Sequence, residues 1–555
     1  MVEYQCKMEK DKIEKKIELL ILKEYGIKED VEVTISKDHN HGDYSTSIVL
    51  KLYSKYRDKI DKLDLFEKIK SVLSDYDVEN LNSFINIFIK KNTLENIFRE
   101  NNNKTKKIKE KVLVEYSSPN IAKTFSIGHL TTTIIGDSIY RMYKYLGYDT
   151  TNDNHIGDWG VQFGKLIYAI KEWGDDEIIE SNPISELNKL YVRFHKEEEI
   201  NLDAVTEAKE YYRKLSDGDK EITEYWKKIV DWSMQEFDKT YSLLGISFEN
   251  TYGESFYYKL AQEIVDKALK DKKATIEDGA VVIYTKEDQK PLIVRKSDGT
   301  SLYSSHDLAT IYYRVNTLKM DTIIYEIGVE QKQYIEQMFE AAKILGLCDN
   351  KVKLILISHG FMKLPGGEKM STRKGNTIKL NDLIEQSREK TLSLLKERNI
   401  TDTKIVDKIA IGAIKFNVLK RHYSSDIIFE WDKMLNFEGD TSVYIQYTYV
   451  RCLSLLRGID IDNNTIKLET VEEQNLAREL YKFNDYIDLS KLSPNILVEY
   501  LLNISKLYNL IYSKYNILKE ENSIIRNTRL NLTKKTMTII KSGLDLLGIE
   551  TVEKM

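Results

Sequence analysis

Cysteine is scarce. Cys6, Cys348 and Cys452 are the only three in 555 residues, far apart and without CxxC spacing, which argues against both a disulfide framework and a thiolate zinc site. The 8 histidines are scattered too, so no tightly bound protein metal site is expected. Long apolar runs are missing: none approaches the roughly 18 residues of a membrane span. The N-terminal stretch MVEYQCKMEKDKIEKKIELLIL mixes charges with apolar residues, unlike the unbroken apolar core of a secretory signal. The expectation is a cytoplasmic chain with no membrane partner. Basic charge is not in excess either, the formal net charge being −5, so any nucleic-acid contact must rest on local patches. Candidates are Lys104 to Lys111, Lys420-Arg421-His422, and Arg526 to Lys535, although each patch taken singly reads as a solvated face. The five prolines are too sparse to mark boundaries, and no repeat or Gly/Ser linker helps.

What is present is ample material for folding. Hydrophobic residues make up 42% and charged residues 31%, a globular balance, and 555 residues exceed what one core can serve, since cores stop growing beyond about 250 to 300. Changes of periodicity divide the chain in three. Residues 1–105 mix an amphipathic helix with short strands, VEVTI (31–35) and FINIFI (84–89), and a polar turn from His41 to Thr46, an α+β module. From Lys111 the order is strand (KVLVEYSS), turn (Pro119-Asn120) and a helical pattern from Gly128 to Gly147, which opens a Rossmann-like α/β domain. That domain is expected over 106–385, with a charged helical insertion at about 167–246 and strands returning at AVVIY (280–284), PLIV (291–294), TIIYEIG (322–328) and VKLILIS (352–358). Residues 386–555 carry almost unbroken helical periodicity and read as an all-α bundle.

Two segments suit phosphate chemistry. Gly128 and His129 stand where the first strand's turn enters a helix; a glycine admits close approach, helix-start amides attract phosphate oxygens, and His129 can donate to charge developing on phosphorus. Alone, a Gly-His pair before a helix is ordinary capping. Some 240 residues later, Lys369-Met370-Ser371-Thr372-Arg373-Lys374 places three cations and two hydroxyls on one loop, which suits a clamp over a triphosphate, though alone it reads as a solvated basic turn. The two together resemble the HIGH and KMSKS signatures of class I aminoacyl-tRNA synthetases. The stretch VEYSSPNIAKTFSIGHLTTTIIGDSIYRMYKYLGYDTTNDNHIGDWGVQFG, then KMSTRKGN, EWDKMLNFEGDTSVYIQYTYVR and the ending GLDLLGIETVEKM are similar to arginyl-tRNA synthetases over the whole length.

The resemblance implies an arginine–tRNA ligase that activates L-arginine with ATP, accompanied by Mg2+ held mainly by phosphate oxygens and water, and passes it to the terminal adenosine of tRNA(Arg), releasing AMP and pyrophosphate. It implies an ATP site of Ser126, Gly128, His129, Lys369, Met370 and Ser371, with His129, Lys369 and Arg373 as the catalytic groups. Ser126 stands where HIGH has its first histidine, and Thr372 where KMSKS has its second lysine. A guanidinium has five donors and a permanent charge. The implied pocket answers it with Glu115 and Asp307, a slot shaped by Tyr303, and Asn120 and Gln331 for the α-amino or carboxylate end. His155, Asp158, Trp159 and Gln162 form a neighbouring polar cluster, expected to line the pocket. Tyr303 and Asp307 are four apart, one helical turn. In the C-terminal bundle Tyr444, Tyr447 and Arg451 share one helical face suited to stacking unpaired anticodon bases, with Met555 beside it by resemblance. The N-terminal module resembles the family's tRNA-elbow domain, and a monomer is implied. Three rivals remain: a nucleotidylyltransferase, which also uses a Gly-His turn; another class I synthetase such as the cysteine enzyme, for which a Cys/His zinc set is missing; and a non-catalytic RNA-binding relative.

Overall fold

The computed structural model describes residues 8–36, 39–81, 84–96, 107–286, 290–363, 380–428, 434–436, 439–462 and 466–555. They form two compact units, one of residues 1–106, 395–409 and 435–555, the other of 107–394 and 410–434. This grouping is not serial, unlike the spans 1–105, 106–385 and 386–555 read from periodicity. The helix Thr403–Leu419 belongs partly to each unit, and helical periodicity continues across such a junction without a mark.

The second unit is built on a parallel sheet of β1 (Lys111–Glu115), β2 (Asp149–Asp153), β3 (Thr322–Gly328) and β4 (Lys353–His359), in the order β4-β3-β1-β2. Val112, Leu113 and Val114 are all fully buried, as expected of a parallel strand covered on both faces. The chain leaves β1 for β2 on one side and returns to β3 on the other, so the carboxyl ends of β1 and β3 flank a topological switch point, where open α/β sheets place their ligands. Helix α1 (Ile127–Leu146) follows β1 and ends at Gly147, whose φ of 86° is left-handed. It lies so close to the sheet that a Cβ on Gly136 would stand 2.2 Å from Tyr116 Cβ.

The expected helical insertion is present: α2 (Val161–Trp173), α3 (Asp176–Ser181), α4 (Pro183–Glu197), α5 (Leu202–Ser216) and α6 (Lys220–Leu243) bury Phe163, Leu187, Phe194 and Ile229 among them. Helix α7 (Glu254–Lys270), a three-stranded antiparallel sheet (Thr275–Glu277, Ala280–Ile283, Leu292–Arg295), α8 (Tyr303–Asn316) and α9 (Lys332–Leu345) complete the frame.

In the first unit an antiparallel sheet orders Thr34–Ile35, Tyr44–Thr46, Phe84–Ile89 and Tyr76–Leu81. The segment His41 to Thr46 is therefore not all turn: Tyr44–Thr46 pairs with Ile85–Ile87, because alternate residues there have core to face. VEVTI is strand only at Thr34–Ile35. This module packs on the C-terminal helices through buried charge. Asp43 pairs with Arg478 and lies 3.7 Å from Lys482 Nζ, which also pairs with Glu479 at 2.6 Å. Tyr44 Oη donates to Asp485 Oδ2 (2.5 Å).

Burial, reinforced by Glu9 and Asp11 and only partly offset by the Tyr44 bond, raises the Asp485 pKa to about 7. Because the folded chain holds this proton more tightly than the unfolded one, ionisation costs stability as pH climbs from about 4 to about 7. Asp485→Asn keeps the acceptor for Tyr44 and removes the charge. Its stability advantage is expected near zero at pH ~4 and of order 1–4 kcal/mol above pH ~7, where a shift of one pKa unit is worth about 1.4 kcal/mol. Urea midpoints of both chains across that range test this, and a pH-independent difference refutes it.

Candidate active site

The turn between β1 and α1 is held in unusual backbone geometry. Ser117, Ser118 and Ala122 have φ of 75°, 46° and 61°, conformations costing about 1–3 kcal/mol each that persist only when the surroundings enforce them. The enforcement is visible: the Ser118 amide donates to Asn154 Oδ1 (3.1 Å) and the Ala122 amide to Ser233 Oγ (3.0 Å). A bend so constrained delivers the chain to α1 with its first-turn amides at the sheet's carboxyl edge, and no acidic side chain occupies that turn. The amide ends and the helix dipole there favour an anion.

Ser126 is the cap of α1. Its Oγ accepts from the His129 amide (3.2 Å), while the Ser126 amide donates to His129 Nδ1 (3.1 Å). The serine that replaces the first histidine of the motif thus serves the helix start. Burial, aided by the Lys123 cation, lowers the His129 pKa to about 4. The ring is neutral at physiological pH, and since Nδ1 accepts, the proton sits on Nε2. His129 therefore offers the cleft an uncharged N–H donor.

Ser126, Gly128 and His129 line one wall of a cleft of 870 Å3, and Glu115, Asn120, His155, Tyr303, Asp307 and Gln331 line the same cleft. The residues expected at the ATP and arginine sites that fall among the described residues of this unit are thus brought together. Lys369, Met370, Ser371 and Arg373, with Thr372 and Lys374, lie outside the described residues.

Tyr303 and Asp307, one turn apart on α8, both meet Tyr334 of α9: its hydroxyl donates to Asp307 Oδ2 (2.5 Å) and its ring stands edge-on to Tyr303 with centroids 5.1 Å apart. His155 Nδ1 donates to the Tyr252 carbonyl (3.0 Å), and Nε2 faces Asp307 Oδ1 at 3.6 Å, an ion-pair distance. Burial opposes charge on this ring, but Asp307 and Glu115 outweigh it and push the pKa up to about 9. The Gln331 position closes the short turn Val329–Gln331 after β3. Asn120 bridges to Gly157, where a Cβ would come within 2.5 Å of Asn120 Oδ1.

One expectation is narrowed and another needs correction. Glu115 is not wholly open to a ligand, because Oε2 is engaged by the buried Arg314; a pairing partner 199 residues away has no signature in local sequence. Of the cluster after β2, His155, Trp159 and Gln162 line the cleft, whereas Asp158 turns to the start of α7, accepting from the Ser255 amide (2.8 Å) and hydroxyl (2.6 Å). The amide groups at that helix start need acceptors, and Asp158 supplies one.

Sequence reasoning also missed Tyr334, Glu326 and His359. Glu326, two residues before the end of β3, and His359, the last residue of β4, pair at 2.8 Å; burial works against a charged ring, but the Glu326 carboxylate raises the His359 pKa. Polar residues at strand carboxyl ends were the available signal. Among the described residues no group of three or more His, Cys, Asp or Glu side chains could hold a metal ion, and no helix is long and apolar enough to cross a membrane.

In the other unit, Tyr444, Tyr447 and Arg451 lie on the helix Ser442–Leu456. Arg451 stacks over Tyr447 (4.9 Å) and Tyr512 (4.5 Å) and pairs with Asn509, which donates to Tyr444 Oη (3.0 Å). All three side chains are half-buried, as is Met555. Gln446 of this helix donates to the carbonyl of Glu550 (2.7 Å), tying down the C-terminal end.

Comparison with known proteins agrees along the whole chain. Residues 92–431 match the family model of class I (R) tRNA synthetase catalytic domains, 445–555 the DALR anticodon binding domain, and 8–89 the arginyl tRNA synthetase N-terminal domain. The chain is 39% identical to an arginine–tRNA ligase of Clostridium botulinum over 517 residues, 90% of each chain. It is 39% identical to one of Clostridium acetobutylicum over 495 residues, 86% of this chain and 88% of that one. The arginyl-tRNA synthetase structure of Plasmodium falciparum superposes with a TM-score of 0.82 at 29% identity, covering 98% of this chain and 99% of that one. That of Thermus thermophilus gives 0.83 at 22% identity, covering 99% and 100%, a likeness of fold. With family models matching its catalytic core and both flanking regions, the chain belongs to the arginyl-tRNA synthetases, within class I of the aminoacyl-tRNA synthetases.

Proposed function

We propose that this chain activates L-arginine with ATP and transfers it to tRNA(Arg). The observation that carries the reading is the convergence of Asp307, Glu115 and His129 on one cleft at the carboxyl ends of β1 and β3: an acidic slot for a guanidinium beside a helix start suited to phosphate. In the first step a carboxylate oxygen of arginine attacks the α-phosphorus in line. A new P–O bond forms as the bond to the β-phosphate bridging oxygen breaks, giving arginyl-adenylate and pyrophosphate. In the second, a ribose hydroxyl of the terminal adenosine, by family resemblance the 2′-OH, attacks the arginyl carbonyl; AMP leaves and the hydroxyl proton is lost. No protein nucleophile is required, so the residues act by positioning and by stabilising charge.

The roles follow from place. His129 Nε2 and the amides near Ser126 and Gly128 meet phosphate oxygens. Lys369, Met370, Ser371 and Arg373 serve the triphosphate, and Mg2+ enters with ATP as part of the substrate, held by phosphate oxygens and water. Asp307 and the remaining oxygen of Glu115 pair with the guanidinium, with Tyr303 and His155 at the slot and Asn120 and Gln331 at the amino-acid end. Residues 1–105 form the module that meets the tRNA elbow, 106–385 the catalytic domain and 386–555 the anticodon-binding bundle. In that bundle Tyr444, Tyr447, Arg451 and Met555 face the anticodon, whose bases would displace the intramolecular stacking of Arg451 on Tyr447. The chain acts as a cytoplasmic monomer, and arginine activation requires bound tRNA.

Pyrophosphate exchange into ATP tests the proposal. Exchange is expected with arginine and tRNA together, and only background without either. Exchange independent of arginine would indicate a nucleotidylyltransferase. Exchange elicited by another amino acid would indicate a different synthetase. No exchange under any condition, with tRNA still bound, would indicate a non-catalytic RNA-binding protein.

A further inference from the structure

Among the described residues Arg314 is the largest side chain sealed completely from solvent. It lies on α8 seven residues, two turns, beyond Asp307, and is absent from the lining of the cleft. One end of its guanidinium, Nη1, engages Glu115 Oε2, and the other, Nη2, donates to Asp153 Oδ2 at 2.6 Å. Glu115 and Asp153 are directly paired residues of β1 and β2, and Glu115 and Tyr325 of β1 and β3. Neighbouring positions of a parallel sheet in register point their side chains to one face, so two carboxylates emerge there side by side, and the guanidinium settles over the Tyr325 ring, 5.3 Å from its centroid.

The two acids are not equivalent. Asp153 is fully buried, takes the Tyr252 amide on its other oxygen (3.3 Å) and does not reach the cleft. Glu115 does reach it. Arg314 is thus anchored by a carboxylate that never meets substrate and grips one that can. A planar fork holding an oxygen of Glu115 sets the side-chain rotamer and leaves the second oxygen in one orientation.

We infer that Arg314, anchored on Asp153, is a positioning residue that aims the free oxygen of Glu115 at the substrate's guanidinium and so sets the affinity for arginine. The inference rests on the proposed function, in which Glu115 touches arginine. A lysine in the same place would be a point charge unable to hold both carboxylates in a defined plane.

The test is the split between KM for arginine and KM for ATP in tRNA-supported pyrophosphate exchange by the full chain. Arg314→Lys is expected to raise KM for arginine about 10- to 100-fold while changing KM for ATP less than about twofold. Asp153→Asn, which touches neither substrate, is expected to move KM for arginine the same way by about 3- to 10-fold, and it keeps the inference testable should Arg314→Lys not fold. A buried pair with only a structural role would lower thermal stability and the active fraction, hence kcat, and leave both Michaelis constants unchanged; that pattern in both variants overturns the inference. Glu115→Gln separates the two layers. If it leaves KM for arginine unchanged, the role proposed for Glu115 fails; if it raises KM while Arg314→Lys and Asp153→Asn do not, the inference alone fails.

Discussion

Asp307→Asn is expected to lower kcat/KM for arginine by about 10²- to 10⁴-fold, chiefly through KM, with KM for ATP little changed. The replacement can still accept the Tyr334 hydroxyl bond seen at 2.5 Å, so the slot keeps its shape and loses a charge. Charge-assisted hydrogen bonds to a partly buried guanidinium are worth about 1.5–3 kcal/mol each, and two of them span that range. A second signature accompanies the first. His155, its pKa pushed up to about 9, places a cation against the carboxylate the substrate needs. Arginine binding to Asp307 then competes with the imidazolium, so KM for arginine in the parent chain should rise as pH falls below about 9. In Asp307→Asn that dependence should largely disappear. An arginine KM unaffected by the substitution would remove Asp307 from the pocket; a pH-independent KM in the parent would remove the competition with His155.

His129→Ala should act on the other substrate and on rate. Loss of one preorganised donor to developing phosphate charge costs about 10²- to 10³-fold in kcat, with KM for arginine nearly constant, because the His129 ring bonds Ser126 and packs on Phe125 rather than on Asp307 or Glu115. Since the ring's pKa is depressed to about 4, it is a fixed neutral donor over the working range. The pH–rate profile of the parent should therefore show no break assignable to His129 between pH ~5 and ~9, whereas a general acid or base would titrate there. Single-turnover formation of arginyl-adenylate measures the step directly. A loss below about fivefold, or one confined to KM for arginine, contradicts the assigned role.

Much of the candidate site was legible from residues close together in the chain. The strand from Lys111, the bend after it and the helix that starts beside Gly128 follow from an apolar run, a turn and a 3.6-residue period. Tyr303 and Asp307 were expected on one face because four residues make about one helical turn. Ser126 stands where the motif has its first histidine and also caps α1, a role that the spacing of Ser126 and His129 permits. The parallel sheet was implied by strands separated by helices, but not its order, and the order decides which strand ends border the cleft.

Most local elements, the chemical types at their ends and the family were thus readable from the order of residues alone. Which of those groups hold one another emerges from the folded chain. Arg314 reaches Glu115 and Asp153 across 199 and 161 residues, Tyr334 finds Asp307, and Arg478 meets Asp43 across 435. The physical reason is that spacing within a helix or strand is dictated by backbone geometry, while pairing between distant side chains depends on strand order and on burial. In the sequence a sealed arginine such as Arg314 reads like any surface cation; burial is what obliges it to find carboxylates.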